Sequence, residues 1–448
     1  MFMLKKKSLI SLLCIALTGS IVLSGYSKPN NSRKVEPSSK SSSPITLRLE
    51  DDTATSDPEY AVKNKVLKQF KKDNPNVTVQ EETEPGTQYH QKLTTEIASD
   101  TLGDLFYNWG GSEVKQGVKN KQFMDLTSVV NADPSYKNAF LPNILKGNDV
   151  TYHDIKGLWG IPVNITVTGF YYNTEIFKKA GVKPPKTMSD MVNVIKKLKA
   201  YGTIPWALGA QDGWRGEHLY TALFYKLNGV APIYDLASRK THYASSIGEG
   251  PFKEMEQLRD MGAFGPNPGA VSYDMEQSMF ESGKAAMNFG LAVLCGNFTS
   301  GDSAIKKEIG YFPFPYFSDH AQHKNSIFAG GGLCLSLNAK LTGDKKDVAV
   351  KLMKAFTGVK GQQMNADTSA LTPTVKVKQN VSTPAGALQA KFMATFNSSK
   401  EYAGDITDPD DLSSMLTKLR DVCAGLMNKQ LTAVQAAQAM DKQIKDNS

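Results

Sequence analysis

The sequence predicts an α/β protein of two domains or more, on three observations. A β-α-β-α-β pattern runs from Ile45 to Tyr107. A second region of strands and amphipathic helices starts near Gly157. The 448 residues, about 40% of them apolar, can bury more than one core.

Ile45, Leu47 and Leu49 alternate onto one face and read as a strand. Asp57 and Pro58 supply an N-cap and a first-turn proline, and Val62, Val66 and Phe70 recur every fourth residue through a helix that stops before Pro75. Val77 and Val79 mark a second strand, Tyr89, Leu93 and Ile97 a second helix, and residues 104–107 a third strand. That alternation calls for a mostly parallel sheet with right-handed crossovers. In the second region, residues 161–172 form one long β-rich run and 187–199 a capped amphipathic helix. A helix follows over 274–282, strands over 285–289 and 333–337, and a helix over 345–356. From Asp411 onward the spacing is helical in two segments.

Lys5, Lys6 and Lys7 precede an apolar run from Leu9 to Leu23, the layout of a secretory signal over 1–25 rather than of an N-terminal membrane anchor. Residues 26–44, rich in Ser, Lys, Asn and Pro, bury too little surface to offset ordering entropy and are expected to form a disordered tether. No later segment has about 18 consecutive apolar residues, so the rest of the chain is expected to be soluble.

The net charge of +8 comes from lysines scattered among acids, with no basic block interleaved with aromatics, which argues against a nucleic-acid partner. Beyond Cys14 in the signal, Cys295, Cys334 and Cys423 show no zinc or redox spacing. Cys295 and Cys334 read as buried thiols, with one disulfide between them as the alternative. There is no GxSxG, HExxH, GxGxxG or P-loop. His320 and His323 read as a polar surface loop rather than a metal site, and pairs such as Asp51-Asp52 lack anything that makes them an acid/base pair. The expectation is therefore no catalytic residue, no metal and no cofactor.

Aromatics and amides stand out instead. Tyr107, Asn108, Trp109, Gly110 and Gly111 lie just past the carboxyl end of the third strand, where open parallel sheets bind ligands. Trp159, Trp206 and Trp214 also fall in loop-like text rich in Gly and Pro. Each has packing as its alternative reading, but an indole face stacks well on the C–H side of a sugar ring while Asp, Asn and Arg bond its hydroxyls.

Several segments resemble the family 1 extracellular solute-binding proteins of carbohydrate ABC importers. They are Asp104 to Gly111, Gly160-Ile161-Pro162-Val163 leading to Tyr171-Tyr172-Asn173, and Phe177 to Gly181. Pro184 to Thr187, Phe280 to Met287 and Gly330-Gly331-Gly332 continue the likeness, which runs from Ile45 to at least Thr374. The resemblance implies a type II periplasmic-binding-protein-like fold, with two lobes that each hold a mostly parallel sheet flanked by helices, and a ligand cleft between them. By analogy, one lobe combines 45–156 with 309–357 and the other 157–308 with 358–448. It also implies an oligosaccharide captured by hinge closure, a monomer, and the importer's membrane permease subunits as partners.

Two departures stand out. Tyr26 follows Leu23-Ser24-Gly25 where lipid-anchored members carry a lipobox Cys, so the thioether link cannot form there as the sequence reads; an exported protein at the outer face of the cytoplasmic membrane is expected, with release, retention by its partners, or an altered form of a lipoprotein as the alternatives. After Met287 the chain reads Gly290-Leu291-Ala292, where relatives often place a sugar-stacking Trp; Trp214 is the candidate replacement. Trp109 and Trp214 are thus the expected stacking platforms, beside Gly110. Asn108, Glu113, Asn164, Asp212 and Arg215 are the expected hydroxyl partners, and Gly330, Gly331 and Gly332 let a ligand approach the backbone. A binder of a polyamine or glycerophosphate-like solute, and a secreted carbohydrate-active enzyme, are the alternatives.

Overall fold

The computed structural model describes residues 43–447 apart from 56, 58, 85, 148–150, 153 and 301–302. The signal and the tether as far as residue 42 lie outside the described residues.

The described strands are β1 (Ile45–Asp51), β2 (Val77–Thr83), β3 (Leu105–Asn108), β4 (Ile161–Pro162), β5 (Ile165–Asn173) and β6 (Ile204–Ala207). They continue with β7 (Ala285–Leu291), β8 (Ile309–Phe312), β9 (Ser326–Gly331), β10 (Cys334–Leu337) and β11 (Glu401–Ala403). One sheet runs β2-β1-β3-β10-β4 and the other β11-β9-β5-β7-β6, with β8 also on β5. Leu47, Leu49, Val62, Val66, Phe70 and Phe106 are buried in a core on the first sheet. Phe170, Trp206, Phe289 and Phe312 are buried in a second core. The two-lobed α/β architecture is present.

The early elements follow local pattern. Val62, Val66 and Phe70 form the buried stripe of the helix Tyr60–Asp73, and Thr187 caps Met188–Tyr201 through a reciprocal box with Asp190. Asp57 is not the cap of the first helix; its carboxylate instead accepts from Ala54 N at 2.7 Å, turning the chain out of β1. Trp206 lies in β6 and is wholly core.

Both sheets are mixed rather than mostly parallel, for a reason that lies in the crossings. The run 161–172 is two strands: β4 closes the first sheet, and β5 enters the second. β9 leaves the second sheet antiparallel to β5, and β10 re-enters the first antiparallel to β3. A chain that leaves and returns through the same hinge must reverse its sense. β8 and β9 therefore belong with β5, so the crossing expected at 308/309 falls between Gly331 and Cys334. Helix Val359–Thr368 packs on the first-lobe helices Tyr60–Asp73 and Gly343–Thr357, and Val375 bridges Phe140. The crossing expected at 357/358 thus comes later as well. The three described cysteines are buried. Cys295 takes the Tyr171 hydroxyl at 3.2 Å, and burial pushes its thiol up to about 12.

Candidate functional site

The carboxyl ends of β1 and β3 face the second lobe. Trp109 follows β3 and is half-buried, stacked on His90 with ring centroids 4.0 Å apart. His90 Nδ1 lies 2.5 Å from Glu113 Oε1, in the first turn of helix Gly111–Lys119. Gly110 (φ 66°) and Gly111 (φ 61°) turn the chain between strand and helix in the left-handed region open to glycine. Gly111 admits Asp408 of the facing segment where a Cβ would collide with its carboxylate.

Across the cleft, Trp214 opens the helix Trp214–Asn228, packed on Tyr273 at 4.7 Å and His218 at 4.9 Å. Asp212 is exposed, and its carboxylate accepts from Tyr273 N. Arg420 reaches toward the same face, held through Nε by Glu217 Oε2 at 2.7 Å. Burial works to lower its pKa, but Glu217, Asp405 and, across the cleft, Glu113 hold it above its ordinary value. Burial, with the charges of Glu217 and Asp408, pushes Asp405 well up. Burial and the Arg215 and Arg420 charges keep His218 neutral.

The first-lobe wall is acidic. Burial, reinforced by Asp51, pushes Asp52 up to about 6, while His90 draws it down. Glu59 is pushed up to about 7 by burial and by Asp57 and Asp52.

Several expected partners serve other ends. Asn108 is buried within the sheet: Nδ2 donates to Ser336 Oγ at 2.8 Å, and Oδ1 accepts from Gly110 N. Arg215 is 1% exposed, bonded to Glu276 through Nε (2.9 Å) and Nη2 (2.7 Å) and donating to Phe289 O. Its bond to Phe289 O anchors the helix to β7, and its guanidinium lies 5.0 Å from the Trp214 ring. Asn164 accepts from Leu333 N at 2.6 Å and Gly332 N at 3.0 Å, so it pins the hinge. Gly330 and Gly331 pair with Thr166 and Ile165. The space at Gly332 is taken by Thr166 and Asn164, not left for a ligand. Gly330 also lines a crevice of ≈ 280 Å³ with Asn143, Lys146, Tyr234 and Tyr402. Of the expected residues, Trp109 and Trp214 are half-buried against aromatic neighbours, while Glu113 holds His90 and Asp212 accepts from Tyr273 N. His90, Asp52, Tyr273 and Arg420 were not foreseen. Asp52 had a signal in its place at the end of β1; the others show their role only in three dimensions.

The carboxylates of Glu50, Glu82 and Glu96 also converge, but Arg48 and Lys92 are already paired with them. Two of the trio's three possible negative charges are thereby balanced from within, and burial beside Glu50 pushes Glu96 up to about 7.

A family model described as bacterial extracellular solute-binding protein matches residues 53–363. The multiple sugar-binding protein of Streptococcus mutans is 25% identical over 339 residues, covering 72% of this chain and 74% of its own. Among solved structures, a chitin oligosaccharide binding protein superposes with TM-score 0.80 at 23% identity, over 90% of this chain and 98% of that one. A structure from work on xylan utilization by Caldanaerobius polysaccharolyticus superposes with TM-score 0.79 at 24% identity, over 89% and 100%. At these identities the two structures establish the fold.

Proposed function

This chain belongs to the bacterial extracellular solute-binding protein family, and from that premise we propose that it binds a neutral oligosaccharide between its lobes and presents it to an ABC importer. The observation that supports the reading is a pair of half-buried indoles, one in each lobe: Trp109 backed by His90, and Trp214 backed by Tyr273 and His218. Two aromatic platforms with carboxylates and a guanidinium nearby suit sugar rings, whose C–H faces stack while their hydroxyls both donate and accept. Asp52, Glu113, Asp212 and Arg420 are the polar partners in this reading. The lobes close on the ligand as a hinge, with the paired strands Val163–Val167 and Ala329–Leu333 as its axis. The protein acts outside the cytoplasmic membrane, as a monomer, with the importer's permease as its second partner.

A thermal-shift panel of xylo-, galacto-, malto- and chito-oligosaccharides tests the reading, since a ligand at 100 times its Kd adds about 2.7 kcal/mol of apparent stability. A second reading, a cationic solute such as a polyamine, is favoured by the acidic first-lobe wall of Asp52, Asp57 and Glu59. Spermidine and putrescine in the same panel decide between them.

A further inference from the structure

The segment after β11 belongs to the second lobe by its packing. The Tyr225 hydroxyl donates to Gly404 O at 2.7 Å, and Ile406 is buried in the second core. Arg239 grips the buried Asp410 through two bonds, at 2.6 and 2.7 Å. The next residue, Asp411, turns the other way. Its Oδ1 lies 2.5 Å from Lys115 Nζ and 3.1 Å from Lys119 Nζ, both on the first-lobe helix Gly111–Lys119. Lys115 also pairs with Asp154, at 3.0 Å, and Asp154 reaches this seam from the first-lobe side of the hinge.

We infer that Asp411 sets ligand affinity without touching the ligand, because its ion pairs with Lys115 and Lys119 join the two lobes and are made only when the lobes are closed. The inference rests on the reading that the lobes close on a ligand. A protein that binds only when closed, with the closed form already well populated without ligand, shows the closed-state Kd divided by the closed fraction. A contact present only in that state therefore strengthens binding of every ligand by one factor. Lys115 is 7% exposed and Asp411 59%, so the pair is screened on one side only. Asp154 matters to the energetics: it keeps Lys115 paired when the lobes part, so opening strands no buried ammonium. The difference between open and closed then falls on Asp411. The adjacent acids divide the work, with Asp410 fastening the segment to its own lobe and Asp411 bridging to the other.

The test compares wild type with Asp411→Asn, Asp411→Glu and Asp154→Asn by calorimetry against two oligosaccharides from the panel, at low and high salt. Asp411→Asn is expected to weaken both sugars by the same factor, about three- to tenfold at low salt and less at high salt. Asp411→Glu recovers part of the loss, and Asp154→Asn changes affinity less than about twofold. Small-angle scattering of the ligand-free proteins should show a larger radius of gyration for Asp411→Asn than for wild type or Asp154→Asn, converging when ligand saturates. An unchanged affinity, a loss confined to one sugar, or an equal loss in Asp154→Asn overturns the inference. Should wild type bind no sugar, the sugar reading falls while the scattering comparison still decides the inference, and an unchanged ligand-free radius refutes it.

Discussion

His90 lies face to face with Trp109, ring centroids 4.0 Å apart and planes 21° from parallel, and its Nδ1 is 2.5 Å from Glu113 Oε1. The edge of Tyr89 meets the same indole at 6.0 Å. The indole plane is thus set before any ligand arrives, which reduces the ordering that binding would otherwise require. His90→Ala should weaken sugar binding by about threefold to tenfold, the worth of an aromatic pair. The melting temperature should move little. Calorimetry beside a thermal melt checks both halves.

Asp52 links the cleft to pH. Its folded pKa of about 6 lies above the ordinary 3.8 because burial and Asp51 disfavour the anion. The folded state therefore holds that proton more tightly than the unfolded chain does. Its contribution to stability is complete below about pH 4 and is lost as pH rises through about 6. Asp52→Asn should gain in melting temperature relative to wild type between pH 4.5 and 7.5. Sugar hydroxyls donating to Asp52 favour the anion, so wild-type affinity should rise with pH through about 6 and that of Asp52→Asn should stay flat.

Arg215 and Glu276 make a buried pair that also takes Gly209 N and Asn288 Nδ2. Arg215→Ala leaves a carboxylate buried without its cation and should cost about 3–5 kcal/mol in urea unfolding. Arg215→Met combined with Glu276→Gln removes both charges and should recover a large part of that loss.

At the hinge, Gly332 faces Asn164 Oδ1, which would stand 2.6 Å from an added Cβ, and Thr166 Oγ1 is nearer still. Asn164 is committed to Leu333 N and cannot yield without releasing that amide. Gly332→Ala should destabilise the protein by about 1–3 kcal/mol, read as a lower midpoint in denaturant.

Much of the architecture was legible because it is local. Val62, Val66 and Phe70 show their helix by spacing, and Thr187 with Asp190 announces a cap. The crossings were harder. Residues 161–173 are rich in β-formers, and their spacing does not say that Pro162 and Ile165 belong to different sheets. β8 and β9 join β5 through pairings more than 130 residues apart in sequence. The site divided along the same line. Trp109 follows a strand end, and Glu113, Asp212 and Trp214 stand at helix starts, positions that loop-like text marks. Asn108, Asn164 and Arg215 look alike in sequence, but Ser336, Leu333 and Glu276 take their polar atoms, and those partners are distant in the chain. Polar residue type announces a capacity to bond; only tertiary packing decides whether a ligand or the protein uses it.

The most direct test of sugar capture between two indole platforms is calorimetric titration of the best oligosaccharide from the panel into wild type and Trp109→Ala. Saturable one-to-one binding to wild type, weakened more than about tenfold (1.4 kcal/mol) in the variant, is the predicted result. Equal affinity in the two proteins, or no binding of any oligosaccharide to wild type, would contradict it.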